Sequence, residues 1–113
     1  MGPVNFFFIN LKLMKNIIAL GTLVKFWEQP GRLDAEQPLR VWYSEVKKAN
    51  WLNPHDVKKQ FGSASLITNN RVVFNIKGNK YRLVVQINYS SSWVFVRFIG
   101  THDEYDEIDA STI

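Results

Sequence analysis

The stretch Arg71-Val72-Val73-Phe74-Asn75-Ile76-Lys77-Gly78-Asn79-Lys80-Tyr81-Arg82-Leu83-Val84-Val85-Gln86-Ile87 decides the fold. Gly78-Asn79, set between two β-branched and aromatic runs, is a two-residue hairpin signal. About that turn Lys77 faces Lys80, Asn75 faces Arg82, Val73 faces Val84 and Arg71 faces Gln86. Side chains alternate across a strand, so the pairing sorts the hairpin into two faces. Val72, Phe74, Ile76, Tyr81, Leu83, Val85 and Ile87 share one, which belongs in a core. Arg71, Asn75, Lys77, Lys80, Arg82 and Gln86 share the other. Trp93 to Ile99 supplies a third strand after a turn at Tyr89–Ser92. Its Arg97 is a candidate to join the polar face, but alternation alone leaves this second register open.

Towards the C-terminus, Thr101-His102-Asp103-Glu104 reads as a capping box, with Thr101 as N-cap and Glu104 at the third helical position. The acids that follow suit a helix N-terminus. His102 and Tyr105, three apart, share a side of that helix, which leaves the sheet just after Arg97. Towards the N-terminus, Ser63 to Asn70 reads as a loop by composition. Asn53-Pro54 sets an N-cap before a proline at the first position of a brief helix presenting Val57 and Phe61. Leu39, Trp42, Tyr43, Val46 and Ala49 recur at helical spacing, one apolar stripe on a helix from about Pro38 to Asn50. Pro38 is tolerable only in its first turn. Thr22 is expected to cap a short helix over Leu23 to Gln29, ended by Pro30-Gly31. Lys15 to Leu20 is a short β-type run.

The 113 residues, 46% of them hydrophobic, fit one domain. A chain of this size buries roughly two-thirds of its unfolded surface and needs no metal or disulfide staple. It has no cysteine, which excludes disulfide frameworks, thiol nucleophiles and cysteine-based zinc sites. Val4 to Met14 is mostly apolar but about half the length of a membrane span, which needs roughly 20 residues. It also lacks the basic start and cleavage site of a secretory signal. Residues 1–13 are open to three readings: an edge strand, a disordered tail, or translated sequence upstream of a true start at Met14. The last is favoured, because residues 14–113 read as a complete small domain. A cytoplasmic protein without membrane association is the default expectation.

Lys and Arg number 14 against 10 acids, a formal net charge of +4. The excess is uneven. Asp103, Glu104, Asp106, Glu107 and Asp109 fall in residues 101–113 with no base, so residues 1–100 hold 14 bases against five acids, a net +9. That balance suits a polyanionic partner such as RNA, DNA or acidic lipid. Lys77, Lys80, Arg82 and, if it joins them, Arg97 repel one another on rigid strands unless an anion sits among them. The open faces of small sheets are also often basic, so pattern alone serves a phosphate platform and a solvated face equally.

Beside that face, His102 and Tyr105 can supply proton transfer. Cleaving RNA requires the 2′-hydroxyl to lose a proton, the phosphorane charge to be neutralised and the leaving 5′-oxygen to be protonated. Histidine titrates near neutrality and serves as acid or base; arginine and lysine neutralise the developing charge. A lone histidine in a capping box is more often an ordinary surface residue, and the cationic neighbourhood is what raises its standing. Other chemistry lacks its motifs. There is no GxGxxG or P-loop signature to cradle a nucleotide and no nucleophile elbow. His55 and His102 lie 47 positions apart, and the acids near His102 are more simply a solvated helix end than a cation site. No metal or other cofactor is expected.

Val72-Val73-Phe74-Asn75-Ile76, Gly78-Asn79-Lys80-Tyr81-Arg82-Leu83-Val84-Val85 and Arg97-Phe98-Ile99-Gly100-Thr101-His102-Asp103-Glu104-Tyr105-Asp106 together resemble the HigB family of toxins. These belong to the RelE-like mRNA interferases of type II toxin–antitoxin modules. The resemblance covers about residues 14–113, including the Leu39–Ala49 stripe, and leaves residues 1–13 outside. It implies an α+β fold, a RelE-like small domain with two main helices packed on a twisted, mainly antiparallel sheet and a short C-terminal helix. It implies a toxin that cuts mRNA on the ribosome without a metal and so inhibits translation. The implied partners are mRNA on the ribosome and a HigA-like helix-turn-helix antitoxin, with operator DNA bound only through the antitoxin complex.

Carried over by residue, Arg82 matches the strand arginine that contacts phosphate and transition state. Lys80 fits a second phosphate contact or a proton-transfer role. His102 and Tyr105 fall where relatives place acid/base and base-stacking groups. Arg97 and Asn75 fit supporting roles, and Arg71 and Lys77 join them as RNA-binding candidates. Two alternatives stand beside this reading: a non-catalytic RNA- or DNA-binding module using the same face, and a degraded toxin kept as an antitoxin partner.

Overall fold

In the computed structural model, which describes Met14 and residues 16–113, the hairpin forms in the expected register. The expectations for residues 1–13 lie outside the described residues. Strands β3 (Arg71–Ile76) and β4 (Tyr81–Asn88) pair antiparallel, with Arg71 opposite Gln86, Val73 opposite Val84 and Asn75 opposite Arg82. The ladder ends at Ile76–Tyr81, and residues 77–80 make the turn. Its left-handed residues are Lys77 (φ 54°) and Gly78 (φ 63°), and glycine removes the steric cost at one of them.

The segment read as a loop contains a strand, β2 (Ser65–Ile67), antiparallel to Arg71–Val73. Asn69 and Asn70 make its turn, both left-handed at φ 61° and 59°, a conformation asparagine tolerates. Composition concealed this three-residue strand because it is too short to show alternation. Strand β5 (Trp93–Thr101) pairs antiparallel with β4, and β1 (Asn16–Ile18) pairs parallel with β5. The sheet order is β1-β5-β4-β3-β2, mixed but mostly antiparallel.

The register left open by the sequence is set by a bulge. Val84 faces Phe98 while Val85 faces Val96, so Arg97 is the extra residue. A bulge re-aims a side chain, and Arg97 joins the face of Gln86.

Helix α1 (Leu20–Trp27) begins three residues before the expected start, and Ala19, not Thr22, is its N-cap. It buries Leu23, Phe26 and Trp27 at i, i+3 and i+4. A 3₁₀ turn (Leu33–Ala35) leads into α2 (Glu36–Lys47), which starts earlier and stops sooner than expected and keeps Pro38 in its first turn. In α3 (Pro54–Gln60) the Asn53 side chain accepts from the Asp56 N–H at 3.1 Å, the cap read from the sequence. The capping box of α4 (His102–Tyr105) is also formed.

These helices bury Leu23, Phe26, Leu39, Trp42, Val46 and Val57 against one face of the sheet. Phe74 is central: its ring meets Trp42 at 5.5 Å, Phe61 at 5.0 Å and Trp51 at 6.4 Å. Aromatic pairs add about 0.5–1.5 kcal/mol each beyond burial. The opposite face is not the continuous polar surface expected. Val73 and Val84 are buried there with Ala110, flanked by Ile67, Phe98, Tyr105, Ile108 and Ile113. The polar positions of the hairpin are separated by these valines, and the C-terminal residues cover them. The result is an α+β domain. No helix among the described residues is long and apolar enough to cross a membrane.

Candidate nucleic-acid interface

On the face away from the helices, β3, β4 and β5 lay down cross-strand rows. Asn75, Arg82 and Gly100 form the row at the hairpin end; Val73, Val84 and Phe98 form the next; Arg71, Gln86 and Phe95 form the third. At about 3.3 Å per residue, Arg82 and Gln86 are roughly 13 Å apart along β4. The middle row is the apolar waist under Tyr105, Ile108 and Ala110. The candidate residues therefore fall into two groups, one at each end of the waist.

At the hairpin end Arg82 is half-buried, and its guanidinium donates to the Asn79 carbonyl at 3.1 Å. Asn75, its cross-strand neighbour, donates to the Ser63 carbonyl at 3.5 Å. A Cβ at Gly100 would lie 2.5 Å from the Phe98 ring and 2.8 Å from Glu104 Oε1. A side chain at Gly100 would have to displace the Phe98 ring and the Glu104 carboxylate that closes the capping box. Lys77 is exposed on the turn. Lys80 reaches instead to Asp34 at 2.5 Å, and Asp34 also accepts from the Tyr81 hydroxyl at 2.6 Å. Those two bonds hold the Asp34 carboxyl below its usual range, and Asp34 raises Lys80 above its own. The Lys80 ammonium is thereby kept charged.

Helix α4 stands at this same end. Thr101 Oγ1 accepts from the Glu104 N–H at 3.1 Å, and Glu104 Oε1 accepts from the Thr101 N–H at 2.9 Å. Glu104 Oε2 also accepts from Arg32 at 2.7 Å, and that guanidinium is the main cause holding Glu104 below the ordinary carboxylate range. The His102 N–H donates to the Lys80 carbonyl at 3.3 Å, which ties α4 to the hairpin turn. His102 is exposed, its Nδ1 3.4 Å from Asp106 Oδ2. Tyr105 is half-buried on the waist, its ring 6.5 Å from that of Phe98.

At the far end Arg97 donates to Gln86 Oε1 through Nε at 3.1 Å and through a terminal nitrogen at 2.7 Å. Its guanidinium lies 5.2 Å from the Phe95 ring centre, and Phe95 stacks on Trp93 at 5.6 Å with 29° between planes. Trp93, Phe95 and Arg97 thus form one column on a strand. Arg71 is engaged by the C-terminal segment, donating to the Ile113 carbonyl at 2.7 Å and to Asn69 at 3.1 Å. His102, Asp103 and Asp106 bring possible ligand atoms within 4.8 Å of one another, all three exposed. The preference for acids at a helix N-terminus accounts for that cluster.

The family model described as HigB_toxin, a RelE-like toxic component of a toxin–antitoxin system, matches residues 35–108. The chain belongs to the HigB toxin family. No curated protein matches it. The matched region holds the whole hairpin, the bulged β5 and α4, so every candidate site residue lies inside it. Membership of a toxin–antitoxin family implies an antitoxin as partner.

Two features of this HigB-family site escaped the sequence reading. Trp93, Phe95 and Arg97 sit at period two, a signal for one shared column, but without the register their face was unknown. The braces Asp34–Lys80 and Arg32–Glu104 join residues 46 and 72 positions apart, and no local pattern announces a pair that distant.

Proposed function

We propose that the chain is a ribosome-dependent endoribonuclease that cleaves mRNA and so arrests translation. The observation that carries this reading is the lack of compensation on the second sheet face. Arg82 and Arg97 have no carboxylate within ion-pair distance among the described residues, whereas Arg32, Arg40 and Lys80 each have one. Rigid, uncompensated cations suit a phosphate chain.

In the proposed mechanism the 2′-oxygen attacks the adjacent phosphorus and the bond to the 5′-oxygen breaks. Arg82 neutralises the phosphorane charge. His102, exposed at the same end, exchanges a proton with the reacting oxygens. Lys80, kept charged and neutralised in its pair with Asp34, is poorly suited to act as a base. Tyr105, half-buried against Phe98, offers a ring edge at the border of the waist. The Trp93–Phe95–Arg97 column continues as a stack for an unpaired base, since aromatic rings and guanidinium planes both accept one. Asn75 and Lys77 support the hairpin end. Arg71 contributes through the C-terminal segment it anchors. No step requires a metal. A site of this kind acts in the cytoplasm, where mRNA is translated, and a HigA-like antitoxin would silence it and carry the complex to operator DNA.

Inducible expression in bacteria, with primer-extension mapping of an abundant transcript, tests the proposal. The expected result is growth arrest with breaks inside coding sequence that require translation. The Arg82→Ala/His102→Ala double variant should produce neither. Arrest without breaks would favour a non-catalytic nucleic-acid-binding module. A folded, well-expressed chain that causes no arrest would point to a degraded toxin.

A further inference from the structure

The turn between α1 and α2 is arranged against the preference for apolar burial. Leu33 is 67% exposed, while its neighbours Arg32 and Asp34 are half-buried. Apolar groups gain by leaving water and charged groups lose, so burial does not account for this order. The backbone holds it firmly. Gly31 takes φ 80°, which glycine adopts without steric cost. The Arg32 N–H donates to the Gln29 carbonyl at 3.1 Å, and the N–H of the fully buried Ala35 donates to the Arg32 carbonyl at 3.0 Å.

From this one turn the two side chains reach two different elements. Asp34 accepts from Lys80 and from the Tyr81 hydroxyl beside the hairpin turn. Arg32 donates to Glu104 Oε2, and the other oxygen of that carboxylate closes the α4 capping box at Thr101. The His102 N–H donates to the Lys80 carbonyl. The contacts therefore form a closed ring through Arg32, Glu104, Thr101, His102, Lys80 and Asp34. Phe26 of α1 joins both arms: the Arg32 guanidinium lies 4.7 Å from its ring centre, and the Tyr81 ring meets it edge-on at 5.3 Å. Lys80 and Glu104 keep 50% and 44% of their side chains exposed, and pairs this wet contribute little to stability. Two of them, sent from one turn to the hairpin and to α4, instead fix how those elements sit together.

We propose that Arg32 and Asp34 are positioning residues for RNA cleavage. They act through Glu104 and Lys80 to hold α4 against the hairpin, so that His102 keeps its place relative to Arg82, whose strand position is opposite Gly100. The assignment rests on the nuclease reading and gives Lys80 a part in it as a link in the scaffold. Charge neutralisation by Arg82 and proton transfer by His102 serve one phosphorus centre, so their separation has to be kept. A misplacement of about 1 Å can cost roughly 100-fold in rate.

Arg32→Met keeps an apolar chain against Phe26 and removes the charge. Asp34→Asn keeps an acceptor for the buried Tyr81 hydroxyl and removes the charge facing Lys80. The double variant is compared with the wild type and with Arg40→Met, which removes an exposed pair on α2. Cleavage of a defined mRNA is followed over a range of translating-ribosome concentrations, and residual dipolar couplings place residues 102–105 relative to β4. In the double variant the saturated rate should fall about tenfold or more, with the half-saturating ribosome concentration and the melting temperature nearly unchanged. The couplings of residues 102–105 should depart from the wild-type frame, and Arg40→Met should match the wild type in both measurements. If the double variant does not fold, the single variants decide, each with a smaller loss of the same kind. Equal or faster saturated cleavage, a loss confined to half-saturation, unchanged couplings, or the same loss in Arg40→Met would each overturn the assignment alone. A wild type that cleaves nothing would overturn the nuclease reading and this assignment with it.

Discussion

The two faces of the sheet are made from the same three strands and are used in opposite ways. Under the helices, Val72, Phe74, Ile76, Leu83, Val85 and Ile87 are buried in one continuous apolar layer. On the other side the same alternation yields cations at both ends and a valine pair in the middle, roofed by the C-terminal residues. The first face supplies stability and tolerates no charge. The second holds Arg82 and Arg97 apart without a carboxylate within ion-pair distance of either, an arrangement that suits an anion. A single strand period therefore builds both a core and a candidate site, and the division of labour between them can be broken one side at a time.

The largest effect is expected in the core. Phe74→Ala removes a ring that touches three others and should cost about 3–5 kcal/mol, read as a lowered denaturation midpoint in urea. On the second face, Phe95→Ala takes out the middle of the stacked column. It should weaken binding to single-stranded RNA by about 1–3 kcal/mol in an anisotropy titration, with stability changed far less than in Phe74→Ala. Comparable losses of stability from the two substitutions would erase the contrast between the faces. Thr101→Ala removes the cap that starts α4 and should cost about 1 kcal/mol, with faster amide exchange in residues 102–105.

The smallest effect is a pH limit on the braces. Asp34 and Glu104 have lowered folded-state values. Their contribution is present above the ordinary carboxylate range and is lost as pH falls below about 4. Lys80 is raised, so its share is full below about 10.4 and is lost as pH rises through the folded value. Acid should release both braces, whereas alkali should release Lys80–Asp34 and leave Arg32–Glu104, because arginine does not titrate there. Amide shifts of Thr101 and Tyr81 followed across pH check this: the Thr101 signal should respond only to acid.

The sequence was informative wherever a local rule was at work. The Gly78-Asn79 turn fixed the β3–β4 register, and Asn53 and Thr101 marked helix starts that the structure retains. Burial overrode local signals elsewhere. Thr22 is a good cap by type, yet α1 begins at Leu20 with Ala19 as N-cap and no side-chain cap bond, and is held by burial of Leu23, Phe26 and Trp27. The candidate site was legible as a list of residues but not as a shape. The Arg97 bulge is a property of two strands together, and the waist depends on a tail folding back across Val73 and Val84. Neither leaves a mark within a short window of sequence.

The most direct test of the account is cleavage of a defined mRNA by purified chain on translating ribosomes, wild type against Arg82→Ala, with melting temperatures measured on both. The account predicts cleavage reduced by about 10²–10³-fold in Arg82→Ala, the usual loss when one transition-state charge contact is removed, at a nearly unchanged melting temperature. Equal cleavage by the two proteins would contradict it.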